Sequence, residues 1–250
     1  VTLLIIVSKS TGFLREMALA FAFGTSINSD AFILAQSIIN IFSAILFTAL
    51  GTAYIPTYIK TKNKTNSNEL NNYINSTYSV AGLIVIFVGI ISLFFSEKLV
   101  FLLAPGFSAE AHEIGVTLTR ILLPTILFTF ISTIQSQQLR GDNIFAPPAC
   151  LAIPLNLLLI LTFVFLTPLF GIKGAAYAFA LGTIIQVLML HPYIRKTGYR
   201  FRFHFDLKNK GLREILILTL PIMLGNAIQS IDTLINRILA SGLAEGSCNW

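Results

Sequence analysis

Seven long apolar segments dominate this sequence, and they restrict its fold more than any other feature. A helix of about 20 apolar residues is long enough to cross the roughly 30 Å hydrocarbon core of a bilayer. Such segments occupy residues 1–23, 30–59, 73–95, 114–139, 148–169, 174–194 and 215–243. An open sheet cannot satisfy its backbone polar groups in lipid, so each segment predicts a helix. The predicted fold class is therefore all-α integral membrane, a polytopic bundle of about seven transmembrane helices.

The scarcity of charged residues excludes an ordinary soluble fold. Only 11% of the 250 residues are charged, whereas soluble domains contain about 25%. The net charge of +6 comes from basic residues that cluster in loops, so we do not expect nucleic-acid binding. Cys150 and Cys248 lack metal-ligand spacing and do not indicate a disulfide framework. We expect neither a metal nor a cofactor.

The distribution of basic residues between successive loops predicts how the chain is oriented. Eleven of them follow the second, fourth and sixth spans: Lys60, Lys62, Lys64, Arg140, Arg195, Lys196, Arg200, Arg202, Lys208, Lys210 and Arg213. The loops on the opposite face hold only Lys98 and Lys173. Loops rich in Lys and Arg stay in the cytoplasm, so the N-terminus is predicted to be cytoplasmic.

A basic connector at residues 195–213 divides the chain. Aromatic and basic residues alternate within it, in the sequence YRFRFHF at residues 199–205, a pattern suited to an anionic headgroup layer. It is interpreted either as a lipid-headgroup contact or as a plain interfacial linker. The predicted organisation is a six-helix bundle at 1–194, this amphipathic cytoplasmic linker, and a further helix within 214–250. The Asn-rich stretch 61–72 predicts a loop.

Several ionisable residues fall within or at the edges of the predicted spans. They are Lys9, Arg15, Glu16, Asp30, Arg120, Asp232 and Arg237. A Lys, Arg or Asp at the centre of a membrane helix costs roughly 2.5–3.5 kcal/mol. Such residues therefore line a water-filled cavity or pair with one another more often than they face lipid. The alternative for Arg120 and Arg237 is that they reach water from helix ends.

The first span concentrates this polarity. Lys9 and Arg15 are six residues apart, which places them about 120° apart around a helix. Three hydroxyl residues flank Lys9 and Gly12 follows, so we expect this helix to be broken near its middle, as in substrate regions of transporters. Arginine suits a phosphate ligand because its guanidinium donates two parallel hydrogen bonds. The alternative is a structural ion pair between Arg15 and Glu16.

No constellation of residues points to catalysis. The sequence contains no metal-binding spacing, phosphate loop or nucleophile elbow. Its three histidines, His112, His191 and His204, lie in loops or at span edges. We therefore do not expect an enzyme.

Several motifs resemble one known family, in order along the chain. Residues 8–16 read SKSTGFLRE and lead to FG at 23–24 and DAF at 30–32. They are similar to the opening of the MurJ/MviN lipid II flippases, which belong to the MATE-like exporter superfamily. The sequences LAPGF at 103–107, RILLP at 120–124 and LASGL at 239–243 resemble later motifs of the same family.

This resemblance implies about fourteen helices in two lobes, of which the chain would hold the first lobe and the first helix of the second. We therefore expect the chain to be part of a longer protein in the bacterial plasma membrane. The family moves undecaprenyl-pyrophosphate-linked peptidoglycan precursor, lipid II, to the outer leaflet. A cationic cavity binds the pyrophosphate, and alternating access is coupled to membrane potential or a monovalent cation. By position, Lys9, Arg15 and Asp30 would be cavity residues, with Arg237 as a further substrate-binding residue.

The sequence departs from the family pattern at several of these positions. Lys9 replaces the first arginine, which keeps the charge but loses the planar fork. Ser37 and the Ser-Ala pair at residues 43–44 stand where the family usually has basic residues. Asn236 replaces an aspartate, and Asp232 one turn earlier is an alternative ion-coupling residue.

These departures leave other functions open. One is export of a different polyprenyl-linked polysaccharide unit, and another is a drug or cation exporter, which would depend on Asp30 or Asp232. A third is a non-transporting scaffold for cell-wall enzymes, which would survive loss of the intramembrane cations.

Overall fold

The computed structural model describes residues 1–206 and 209–241, and beyond residue 228 it describes only the side chain of Ile235. This part of the chain is helical and contains no strand. The α-helices are α1 (Thr2–Phe23), α2 (Ile27–Phe42), α3 (Ala49–Lys64), α4 (Ser67–Phe94), α5 (Ser96–Leu103), α6 (Ala109–Leu122), α7 (Thr125–Gly141), α8 (Ala146–Ala149), α9 (Ala152–Leu161), α10 (Thr167–Lys196) and α11 (Lys210–Ser241). Two π-helical segments, Ser43–Thr48 and Thr162–Leu166, join α2 to α3 and α9 to α10.

The described helices provide a segment for each of the seven predicted spans, which confirms an all-α membrane bundle. Those long and apolar enough to cross a bilayer are Ile27–Lys64, Ser67–Phe94, Ala146–Lys196 and Lys210–Ile228. The pair α6 and α7 adds a fifth span, bent by 45°. The first predicted span is α1, whose 22 residues include three charged side chains.

Two local features bend or break these helices. Gly171 has a φ of 55° and a ψ of −154°, and it breaks α10 near its start, so α10 consists of two helices joined by a kink. Only glycine adopts positive φ without steric cost, which explains why the chain turns there between two predicted spans. Pro124 stands at the bend between α6 and α7, where its ring and missing N–H interrupt the helical hydrogen bonds.

Two expectations about local structure are wrong. Helix α1 runs unbroken through Gly12, because a single glycine costs a helix only about 1 kcal/mol and the surrounding turn remains intact. The stretch 61–72 is mostly helical, with α3 extending to Lys64 and α4 beginning at Ser67. The Asn66 side chain caps α4 by accepting a 3.0 Å hydrogen bond from the backbone N–H of Glu69.

The helices share one hydrophobic core, to which segments from α1 to α11 contribute. Phe163 meets Phe32 edge to face with 6.0 Å between ring centroids, and Phe130 packs on Phe47 at 5.9 Å. The outward faces are also apolar, and large hydrophobic side chains such as that of Phe94 are exposed. Because such continuous apolar surface is unstable in water, the exterior fits a lipid environment.

Two ion pairs connect segments that carry the predicted basic loops. Lys60 pairs with Glu214 at 2.7 Å, which joins the end of α3 to the start of α11. Lys62 pairs at 2.6 Å with Asp142, which directly follows α7. Arg120 of α6 pairs at 3.0 Å with Glu97 near the start of α5.

Candidate functional site

Helix α1 presents two different faces. Residues at helical spacing, including Ser8, Thr11, Arg15 and Leu19, are the less exposed ones, and α1 packs against α9. Lys9 lies on the exposed face. The two basic residues therefore point in different directions, as their spacing predicts, and only Arg15 lies on the packed side.

A polar contact joins α1 to α9 in the middle of the bundle. The Asn156 side-chain amide donates a 3.1 Å hydrogen bond to the Thr11 hydroxyl, which itself donates to the Ser8 carbonyl at 2.8 Å. Asn156 is buried. A Cβ at Gly12 would lie 3.6 Å from the Asn156 amide nitrogen, an ordinary van der Waals distance, so this contact does not depend on glycine.

The two cations on α1 differ in their partners. The Arg15 guanidinium pairs with the neighbouring Glu16 carboxylate, and the Arg15 side chain is 22% exposed against 53% for Glu16. Among the described side chains, Lys9 takes part in no ion pair. A partly buried guanidinium and an exposed ammonium on one helix can both attract an anion.

Asp30 lies in the first turn of α2 and is only 5% exposed. Gly24 turns the chain between α1 and α2 with a φ of 56°. Ser26 and Ser29 then form a capping box at the start of α2. A carboxylate at this position is stabilised by the positive end of the helix dipole.

The residues of the second span that stand where the family usually has basic residues lie in different environments. Ser37 is buried, and its hydroxyl donates a 2.7 Å hydrogen bond to the Ile33 carbonyl. Ser43 and Ala44 begin the π-helical segment Ser43–Thr48. The Asn226 amide of α11 donates a 2.9 Å hydrogen bond to the Ala44 carbonyl, so α11 contacts this segment directly.

Three predicted residues fall outside the described side chains. They are the substrate-binding residue Arg237 and the ion-coupling residues Asp232 and Asn236. The roles predicted for them stay predictions.

A family model described as lipid II flippase MurJ matches residues 19–250. The chain belongs to the MurJ family. Lys9 and Arg15 precede the matched range, and the roles predicted for them stay predictions. One relative is the probable lipid II flippase MurJ of Buchnera aphidicola subsp. Acyrthosiphon pisum, 30% identical over 255 residues. That alignment covers 100% of this chain and 50% of the relative.

Solved structures show the same fold. The lipid II flippase MurJ in an inward closed conformation matches with a TM-score of 0.76 and 22% identity, over 99% of this chain and 51% of that one. A MATE transporter in complex with MaL6 matches with a TM-score of 0.74 and 20% identity, over 92% and 52%. The chain thus spans about half the length of the relatives it matches, and it has the fold of about half of the MurJ and MATE structures. As a MurJ family member, it is a multi-pass protein of the bacterial inner membrane.

The structure of this MurJ family chain also contains polar contacts that the sequence did not predict. The Asn75 side-chain oxygen accepts hydrogen bonds from the Tyr199 hydroxyl at 2.8 Å and the Arg202 backbone N–H at 2.9 Å. The Ser79 hydroxyl accepts from the His204 backbone N–H at 3.1 Å. The connector therefore lies against α4. The only hint in the sequence was that these polar residues fall inside an apolar span.

Asp142 makes another set of polar contacts that the sequence did not predict. One of its carboxylate oxygens accepts hydrogen bonds from the Tyr58 hydroxyl at 2.8 Å and from the Lys62 ammonium at 2.6 Å. It ties the end of α3 to the end of α7, so its environment indicates a structural role.

Proposed function

We propose that the protein containing this chain is a lipid II flippase and that the chain forms its first lobe and the first helix of its second. Membership of the MurJ family is the observation that carries this proposal. The relatives named as lipid II flippases are about twice as long as this chain, so the activity would belong to the complete protein.

The polar first helix supports a role in binding an anionic lipid-linked glycan. Arg15 and Lys9 attract the pyrophosphate into an inward-open cavity between the lobes, with Arg237 contributing from α11. The polyprenyl tail remains in the bilayer. Binding neutralises the repulsion among the cations, and the lobes then rock to an outward-open state in which Asp30 pairs with a freed cation.

Resetting the transporter needs a source of free energy. A monovalent cation, bound near Asp232 or Asn236, or the membrane potential would supply it. Moving one elementary charge through 100 mV is worth about 2.3 kcal/mol. In this scheme the protein is a transporter that performs no covalent chemistry, so it is not an enzyme.

The substrate must enter from the side on which it is made, so orientation is part of the proposal. We place the N-terminus, the basic connector and the ends of α3 and α7 in the cytoplasm. The excess of Lys and Arg at this end of the bundle supports that placement.

A different polyprenyl-linked glycan is the main alternative substrate. Ser37, Ser43 and Ala44 replace the basic residues that are usual in the family, so the cavity would be less cationic than in typical members, which leaves a different lipid-linked substrate open. A different class of function is a non-transporting scaffold for cell-wall enzymes. A scaffold would keep its function in variants that lack the intramembrane cations.

The test uses the complete gene in bacteria whose own lipid II flippase can be shut off. Lipid II exposed on the outer leaflet is measured with the wild type, Arg15→Ala and Arg120→Ala. We expect the wild type to restore exposure and Arg15→Ala to abolish it while still inserting. Arg120→Ala is the matched control, because Arg120 lies outside α1. It contacts an exposed glutamate at 3.0 Å and the Ser96 hydroxyl at 2.9 Å, and exposed ion pairs contribute little.

Each outcome has a distinct meaning. Full transport by Arg15→Ala would exclude the proposed role of this residue. A well-inserted wild type that fails to restore exposure would exclude lipid II as the substrate and favour another lipid-linked glycan or the scaffold.

A further inference from the structure

A cavity lies between α4, α7, α10 and the connector residues 199–203. Its volume is about 760 Å³, and none of its described lining residues belongs to α1. Small-molecule sites typically have volumes of about 300–1,000 Å³. The cavity is therefore large enough for a ligand and separate from the polar face of α1.

One end of this cavity is basic. Arg195, at the end of α10, and Arg200, in the connector, line it together with His191. No acidic residue is among its described lining residues, and neither arginine forms an ion pair with a described side chain. Two guanidinium groups without acidic partners favour an anionic ligand, and their planar forks suit a phosphate.

Most of the remaining lining of the cavity is apolar. Leu83 and Ile86 of α4, Leu127 and Ile131 of α7, and Val187 of α10 line it. Leu83 and Ile86 are 43% and 42% exposed, so this wall faces the region that the bilayer would occupy. A free phosphate gains nothing from such a wall, whereas an acyl chain does.

A buried amide also faces the cavity. Gln135 of α7 is one of its lining residues and is only 5% exposed. The side-chain oxygen of Gln135 has no hydrogen-bond partner among the described atoms. Buried acceptors without partners are costly, so rotation of this amide toward a ligand hydroxyl would be stabilising.

The connector wall of the cavity is fixed in place. Tyr199 stacks on Tyr78 with 6.0 Å between ring centroids, and Phe201 meets the same ring edge to face at 6.0 Å. The hydrogen bonds to Asn75 and Ser79 hold the backbone on either side of these rings. Burial raises the pKa of the Tyr199 phenol above its usual range, so it remains a neutral donor to Asn75. Arg200 is therefore positioned by a docked segment.

We propose that this cavity binds one anionic phospholipid of the surrounding leaflet, with its phosphate between Arg195 and Arg200 and an acyl chain along α4 and α10. The lipid joins the six-helix bundle to the connector that leads into α11. This binding is independent of lipid II transport and can be measured without it.

The experiment uses the protein expressed from the complete gene, in nanodiscs of phosphatidylcholine. A trace of phosphatidylglycerol carrying a photoactivatable diazirine in its acyl chain is added, and crosslinked peptides are located by mass spectrometry. The same diazirine on phosphatidylcholine is the control lipid. We expect the phosphatidylglycerol probe to label peptides containing Leu83, Ile86 or Val187 in preference to the control lipid. Unlabelled phosphatidylglycerol should compete with it.

Two variants separate a specific site from general lipid contact. The double variant Arg195→Gln and Arg200→Gln should reduce labelling by phosphatidylglycerol by about fivefold for each arginine. Lys196→Gln is the matched control, because Lys196 lies beside Arg195 but does not line the cavity, and it should retain labelling. Equal labelling by both lipids, or unchanged labelling of the double variant, would overturn the proposal.

A third variant keeps the proposal testable if the double variant does not fold. Leu83→Trp leaves both arginines in place and fills the apolar end of the cavity. It should reduce labelling of the Val187 peptide, and unchanged labelling there would equally overturn the proposal.

Discussion

At the scale of single residues, Arg15 has two interpretations that its neighbour can separate. The guanidinium pairs with Glu16. This pairing is compatible with a structural ion pair, and it is equally compatible with a guanidinium that binds the anionic substrate during transport. An exposed pair contributes about 0–1 kcal/mol to stability, and the Glu16 side chain is 53% exposed.

We therefore predict that Glu16→Gln retains transport while Arg15→Ala loses it. Removing the carboxylate leaves the guanidinium available to an anion, whereas removing the guanidinium takes away the partly buried cation of α1 that is proposed to bind the pyrophosphate. The measurement is lipid II exposure at matched levels of membrane-inserted protein. If both variants lose transport to the same extent, the ion pair itself is what matters, and Arg15 is structural.

The residue-scale predictions succeeded where helix geometry alone decides the result. The 120° separation of Lys9 and Arg15 follows from the pitch of any α-helix, and the structure reproduces it in their different exposure. The hydrogen bond between Thr11 and Asn156 could not be predicted, because it joins positions 145 residues apart. Contacts at that separation depend on how the helices pack.

At the scale of helices, close packing of α10 against α9 depends on a glycine. A Cβ at Gly182 would lie 3.2 Å from the Leu155 Cα and still closer to its side chain. Small residues at such crossings allow membrane helices to approach each other. Gly89 in α4 offers a matched comparison, since nothing lies within 4 Å of a Cβ placed there.

We predict that Gly182→Ala destabilises the protein by about 1–3 kcal/mol, because it overpacks this crossing. Gly89→Ala should be neutral or stabilising by up to about 1 kcal/mol, because alanine favours a helix over glycine. The check is the unfolding temperature of detergent-purified protein, measured by loss of the monodisperse peak in size-exclusion chromatography. A Gly182→Ala variant as stable as Gly89→Ala would contradict the packing of α9 on α10.

The positions of the helices could be predicted from the sequence, but only some of the breaks and irregularities within them could be. The break at Gly171 falls between two predicted spans, where hydropathy drops. The π-helical segment Ser43–Thr48 lies inside a continuous apolar stretch, so no change in composition marks it. Its neighbour Asn226 comes from α11, which shows that tertiary contacts accompany this irregularity.

At the scale of the whole molecule, the ends of the bundle differ in charge. Eleven basic residues follow the even-numbered spans, and two follow the odd-numbered ones. The pairs Lys60–Glu214 and Lys62–Asp142 join the end of α3 to the start of α11 and to the end of α7. This charge asymmetry is the basis of the proposed orientation. Entry of a substrate from the cytoplasm depends on that orientation.

We predict that Glu110→Cys reacts with a membrane-impermeant maleimide in intact spheroplasts and that Asn63→Cys does so only after permeabilisation. Glu110 is exposed at the start of α6, and Asn63 is exposed near the end of α3, at the basic end. Both are introduced into a background in which Cys150 and Cys248 are replaced by serine. The opposite pattern would place the basic end outside the cell, and Arg15 could then not receive its substrate by the proposed route. Labelling of both positions in intact spheroplasts would mean that the chain does not hold one orientation, which the charge asymmetry requires it to do.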